Sequence, residues 1–267
     1  MIFLQMPDWI PRPGSLLGHG AVKTMHAMVW RAIAARRGEN PNTGIDDLLD
    51  HMLSAEDPET GRRMGPTDLL HNMQFFIVAG HETTALALSW SLLLLAWDQD
   101  AQTRAGEQAR AVLGDAPAGA EHLDRTPYAK QVVEEAMRLY PPVGLLSRGV
   151  RRSDTLCGRE VLPKDTLFIP IYALHRHKMW WERPDEFDPD NFSAAAVRAR
   201  DRFLYIPFGA GPRICVGANF AMMQAQIILA TLLARFRFEP GANAAPRPTM
   251  LMTVRPDRGV RLVVTPN

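Results

Sequence analysis

The chemistry in this chain concentrates in one run, Phe208-Gly209-Ala210-Gly211-Pro212-Arg213-Ile214-Cys215-Val216-Gly217, which leads straight into an alanine-rich stretch at 218–235. A cysteine just ahead of a helix start meets unpaired backbone N–H groups and the positive end of the helix dipole, and both favour thiolate over thiol. The flanking glycines let backbone approach a flat ligand closely, and Arg213 adds a fixed positive charge. A lone cysteine is more commonly a buried, inert hydrophobe. Two glycines, a proline and an arginine within six residues argue against that fate for Cys215. Gly209-Ala210-Gly211 also begins like a dinucleotide loop, but the third glycine of that fingerprint would fall at Ile214, and the strand–helix alternation is missing.

A second candidate lies at Ala79-Gly80-His81-Glu82-Thr83. His81-Glu82 opens like a zinc-protease helix, but the second histidine would have to stand at Ala85, so a zinc site fails. Glycine inside a helix costs about 1 kcal/mol relative to alanine, so Gly80 needs a reason. Close packing against another helix is one. The other is a local break that frees a carbonyl, opens a groove and leaves Glu82 and Thr83 as a proton relay in an apolar wall. Glu135 and Arg138 form an i,i+3 pair that is ordinarily a surface feature. Val132, Val133, Ala136, Met137 and Leu139 around them make burial plausible, and Glu134 offers Arg138 an i,i+4 alternative.

The elements that must position these residues read as mostly helical. Residues 1–18 are loop-like, broken by Pro7, Pro11, Pro13 and Gly14. Helices are predicted at 19–37, about 45–55, 67–97, 99–113, 127–140 and 218–235, bounded by Gly38 and Pro41, by Gly114, and by Pro141-Pro142. The helix at 67–97 is long for a globular protein and implies a large domain packed around it. Between 143 and 172 short strand-like runs alternate with turns at Asp154, Gly158 and Pro163-Lys164-Asp165. Two further β-like pieces lie near 249–254 and 260–265, and residues 181–207 are proline-punctuated and aromatic. The fold class is therefore mainly α with a minor β region, in one domain.

The composition narrows the function classes. With 267 residues, 46% of them hydrophobic and 22% charged, the chain can bury a full core. Thirty basic and 29 acidic residues leave a net charge of +1, so no strong field selects nucleic acid. Cys157 and Cys215, 58 positions apart, make neither a disulfide framework nor a cysteine-only zinc site, and they suit a reducing, cytoplasmic compartment. The N-terminus lacks the basic region of a signal peptide. The longest uncharged run, 83–97, falls short of the roughly 20 apolar residues of a membrane span and reads as a buried helix.

Taken together, these motifs resemble the C-terminal half of the cytochrome P450 family. Phe208 to Gly217 matches the family's haem-binding loop, Phe-x-x-Gly-x-Arg-x-Cys-x-Gly, at every fixed position. Ala79 to Thr83 matches its oxygen-binding helix motif, Glu135–Arg138 its Glu-x-x-Arg pair, and Phe187-Asp-Pro-Asp-Asn-Phe192 resembles its Pro-x-Arg-Phe segment. All four come in family order. The resemblance implies a fold that is the C-terminal part of the P450 domain, with haem b as cofactor and Cys215 as the axial iron ligand. Arg148 and Arg213 would pair with the haem propionates, with Phe208, Gly209 and Gly217 shaping the loop. Gly80 would open the helix beside Ala79, Glu82 and Thr83 would guide protons to bound O2, and Glu135 and Arg138 would brace the segment carrying the loop. Val143, Leu145 and Leu146 would border the substrate pocket.

What the resemblance implies for function is a haem-thiolate monooxygenase that inserts one oxygen atom of O2 into an apolar organic small molecule. No flavin, iron–sulfur or nicotinamide motif is present, so electrons would come from an external donor, a ferredoxin or a flavin reductase. Alternatives are a peroxide-using haem-thiolate enzyme, which would not require the Glu82–Thr83 relay, and a non-catalytic remnant. The sequence departs from the family twice. Asn191 stands where the Pro-x-Arg-Phe arginine would join the Glu–Arg pair, and the half of the family's domain ahead of its mid-chain helices is missing, so 1–267 reads as a domain fragment. Arg198, Arg200 and Arg202 form either a solvated loop or a docking patch for an acidic partner.

Overall fold

The computed structural model describes residues 13–37, 47–242 and 245–267, which fall into two compact units, 1–79 and 80–267. In the first unit, α1 (Pro13–Arg37) and α2 (Leu48–Ser54) precede the start of α3 (Pro66–Trp97). Of the loop expected over 1–18, the part up to 12 lies outside the described residues. From Pro13 the chain is helical, because proline is tolerated in a first helical turn, where its missing N–H has no intrahelical partner anyway. Val29, Ile33, Leu49, Met52, Leu69 and Leu70 form this unit's core. Asp47 caps α2 in a reciprocal capping box with Asp50, and Arg36 pairs with both carboxylates.

The second unit contains the rest of α3, then α4 (Gln99–Leu113), α5 (Pro127–Leu139), α6 (Ile171–Leu174), α7 (Ala194–Ala199) and α8 (Ala218–Arg235). Asp98 caps α4 by accepting from Ala101 N–H, and Gly114 ends it at φ +54°. Pro127 starts α5 and Pro141-Pro142 lie just past its end, so its length is set by where a backbone N–H is missing. Among the described residues of this unit, four antiparallel pairs make up the strands: β1 (Leu146–Gly149) with β4 (Thr166–Ile169), β2 (Asp154–Leu156) with β3 (Arg159–Val161), β5 (Phe236–Pro240) with β8 (Leu262–Pro266), and β6 (Pro248–Met250) with β7 (Val254–Pro256). The piece expected at 249–254 is thus a hairpin spanning its own turn. The partner of the last strand is β5, which directly follows α8 and carries no separating turn signal.

Packing explains the apolar character of the second half of α3, whereas Phe75, Ile77 and Val78 in its first half are exposed. By length and composition it could cross a membrane. Its second half supplies Ala87, Leu95 and Ala96 to a core cluster with Val132, Val133 and Met137 of α5 and Leu229 and Leu233 of α8, and Trp90, Leu93 and Leu94 to a second cluster with Ala136 and Leu139 of α5. α3 runs unbroken through Gly80, so the expected local break is not formed; one interior glycine weakens a helix without ending it. Close packing does not account for this glycine either, because a Cβ built there meets nothing within 4 Å.

Candidate active site

The Cys215 loop is built by its glycines. Gly209 and Gly211 both have φ of +74°, a region costly for any residue with a Cβ. Gly209 N–H donates to Ile206 O (2.9 Å), Ile214 N–H to Gly211 O (3.0 Å), and Cys215 N–H to Phe208 O (2.9 Å), so the loop closes on its own first residue. Phe208 packs against the core cluster containing Leu229 and anchors that end. A Cβ on Gly209 would lie 3.5 Å from Leu146 Cδ1, which sets β1 beside the loop. Arg148, two residues after Leu146, shares its face of β1. The 143–149 segment and the cysteine loop, far apart in sequence, are therefore brought together.

Cys215 is exposed, and α8 begins three residues later with Gly217 as a cap that offers no side chain to the first N–H groups. Among the described residues, the Cys215 thiol and the Arg213 guanidinium have no hydrogen-bond or ion-pair partner, and Arg148 Nη1 donates to the neighbouring Ser147 carbonyl at 2.8 Å rather than to a carboxylate. Ile214, Val216 and Phe220 are 56%, 77% and 63% exposed around the thiol. One sulfur donor, two arginines without carboxylate partners and an open apolar surround together suit a flat apolar ligand with an acidic edge. Cys157, the other cysteine, sits with Gly158 in the tight turn joining β2 to β3, at φ +50°, and has no such surroundings.

Glu82 and Thr83 occupy α3 just past Gly80, Glu82 exposed and Thr83 half-buried. Glu82 Oε1 accepts a hydrogen bond from Thr253 Oγ1 at 2.9 Å, from the turn of the β6–β7 hairpin. That hairpin is held where it is by Val254 N–H donating to Pro142 O (2.9 Å) and by Trp90 Nε1 donating to Val254 O (3.2 Å). A Cβ on Gly144 would come within 2.8 Å of both Met250 and Val254, so the chain approaches the hairpin as closely as glycine allows. Thr253 gave no signal in the sequence, because the contact spans 171 positions. Ala79 is the last residue of the first unit.

Glu135 and Arg138 are fully buried and paired in fork geometry: Arg138 Nε donates to Glu135 Oε2 at 2.7 Å and Nη2 to Oε1 at 2.8 Å. The i,i+4 alternative with Glu134 is not used. The remaining guanidinium donors reach the backbone carbonyls of His175 (3.1 Å), Pro184 (2.6 Å) and Glu186 (2.8 Å). Burial pushes the Glu135 carboxyl upward, opposed by the Arg138 guanidinium, Asp188 N–H and the Asn191 amide. Arg200 is half-buried. Its guanidinium lies 4.6 Å from the rings of both Trp181 and Phe192, and Nη1 donates to Asn191 O at 2.9 Å. Arg198 and Arg202 remain exposed.

The family model described as Cytochrome P450 matches residues 1–264. Among curated proteins, a cytokinin hydroxylase from Arabidopsis thaliana is 36% identical over 224 residues, covering 83% of this chain and 43% of its own. A cyclooctatin synthase from Streptomyces melanosporofaciens is 35% identical over 214 residues, covering 79% of this chain and 47% of its own. A crystal structure of a cytochrome P450 superposes with a TM-score of 0.86 at 29% identity, over 96% of this chain and 58% of the other. The chain spans about half the length of the curated relatives it matches. With the cysteine loop, the buried Glu135–Arg138 pair and this match over nearly its whole length, the chain belongs to the cytochrome P450 family.

Proposed function

We propose that residues 1–267 are the cysteine-bearing half of one haem-thiolate monooxygenase domain, acting on an apolar small molecule in the cytoplasm. The observation that carries this reading is the Cys215 loop: an unpartnered thiol at a helix start, on a backbone closed by two left-handed glycines. Haem b, when bound, supplies the iron that activates O2. Cys215 would ligate it and Arg148 and Arg213 would hold its propionates, while Leu146 and Val216 would help shield it from water. Glu82 and Thr83 would move protons, with Gly80 leaving room beside them because no side chain fills that point of α3. Electrons would arrive from an external ferredoxin or flavin reductase. The named activities of the hydroxylase relatives agree with this chemistry.

The test is reconstitution with haem and reduction under carbon monoxide. The red-shifted Soret band of thiolate ligation is expected, and its loss in Cys215→Ser together with its persistence in Cys157→Ser. The reverse pattern would show that the assignment is wrong.

A further inference from the structure

His175 is a fully buried histidine with no place in the proposed chemistry, yet it stands between the two strongest features of the fold. Its backbone carbonyl accepts from Arg138 Nη1 at 3.1 Å. On the other side, its ring Nε2 accepts the Ile206 N–H at 3.0 Å. Ile206 O in turn accepts from Gly209 N–H, and Phe208 O from Cys215 N–H, each at 2.9 Å. Glu135, Arg138, His175, Ile206 and the cysteine loop thus form a ladder of hydrogen bonds linking neighbouring segments. The ring is fixed in place by Tyr205, whose centroid lies 5.1 Å away, and by the short helix α6 that ends at Leu174.

We propose that His175 is the positioning residue that links the Glu135–Arg138 pair to the Cys215 loop, its Nε2 holding the backbone N–H from which the loop departs. This rests on Cys215 being the iron ligand. The role demands an acceptor at Nε2, and therefore a neutral ring carrying its proton on Nδ1. Burial favours the neutral ring, with Arg138 and Arg176 adding to it, while Nδ1 itself is buried and has no hydrogen-bond partner among the described residues. Leucine at this place would leave the part-buried Ile206 N–H without its protein partner, free to turn away and take the loop with it. Glutamine would present an oxygen at the same reach as Nε2. A residue that only filled space would treat leucine as the better substitute.

The experiment has two arms. In the full chain without haem, the ring nitrogen shifts of His175 by nuclear magnetic resonance are expected to show the neutral Nδ1–H form at pH 7, with slow exchange of the Ile206 amide. A cationic ring, an Nε2–H tautomer or a freely exchanging Ile206 amide overturns the proposal, and this arm needs no variant to fold. In the haem-loaded chain reduced under carbon monoxide, His175→Leu is expected to lower the ratio of thiolate-type to non-thiolate Soret intensity about fivefold or more, with haem still bound, and His175→Gln to restore it. Equal ratios in the wild type and the leucine variant overturn it. A wild-type chain with no thiolate band at all overturns the Cys215 reading instead, and the haem-free arm then decides the Ile206 link by itself.

Discussion

Asn191 donates its side-chain amide to Glu135 Oε1 across 3.2 Å, from the position where the family's Pro-x-Arg-Phe segment carries an arginine. The bond brings no charge. A further cation of this region is Arg200, nine residues on, which stacks over Trp181 and Phe192 and donates to the Asn191 backbone carbonyl. Asn191→Ala is expected to cost about 1.5 kcal/mol, the low end of the range for a hydrogen bond to a charged group, because this one is long and part-buried. Arg138→Leu should cost about 3–5 kcal/mol, because it leaves Glu135 buried with no counter-charge. Urea unfolding of the two variants against the parent chain measures both. A smaller loss from Arg138→Leu than from Asn191→Ala would invert the argument.

The contact between Thr253 and Glu82 makes a separate claim about proton delivery. Thr83→Ala in a complete enzyme bearing this half is expected to keep haem binding and to divert electrons into hydrogen peroxide, if the hydroxyl orders the proposed relay without touching iron. Glu82→Gln should slow turnover about 10²-fold and alter the solvent isotope effect. Thr253→Val should give a weaker version of the Glu82→Gln result, with Thr253→Ser restoring it. Peroxide yield per electron consumed is the decisive measurement, and unchanged coupling in Thr83→Ala would remove that residue from the relay.

Acid should loosen the fold through His175. Burial, reinforced by Arg138 and Arg176, pushes its pKa down to about 3, against an ordinary value near 6.5. The unfolded chain therefore takes up a proton at a pH where the folded chain still refuses it. Stability is lost as pH falls from about 6.5 towards about 3, by up to about 1.4 kcal/mol per pH unit from this group. Thermal or urea unfolding followed across that window should show the slope in the parent chain and a flatter one in His175→Gln. Equal slopes in the two would show that the ring does not stay neutral when folded.

The apolar surround of the cysteine is expected to govern how the chain behaves in solution. Val216 and Phe220 are 77% and 63% exposed beside Ile214, and monomers rarely present more than a few hundred Å² of contiguous apolar surface. Light scattering should detect self-association of the 267-residue chain, reduced in Val216→Ser with Phe220→Ser. Weak haem retention should accompany it. A stable monomer with full haem occupancy and coupled product formation would contradict this expectation.

Local chemistry explains how much was legible from the sequence. Helix limits at 99–113 and 218–235 follow from an aspartate cap, a left-handed glycine and a cysteine–glycine turn, all signals within a few residues of the event they control. The Cys215 loop could be read for the same reason, since glycine, proline and arginine act on the backbone beside them. Tertiary structure alone decided which partner each polar group found. Arg138 had two glutamates at helical spacing and chose Glu135, because the burial of both and the carbonyls of His175, Pro184 and Glu186 completed one geometry only. Thr253 reached Glu82 across 171 positions, and His175 reached Ile206 across 31, through contacts that exist only once helices and hairpin are packed. Periodicity and turn chemistry are properties of neighbours in the chain, whereas a hydrogen bond between distant segments is a property of the packed core.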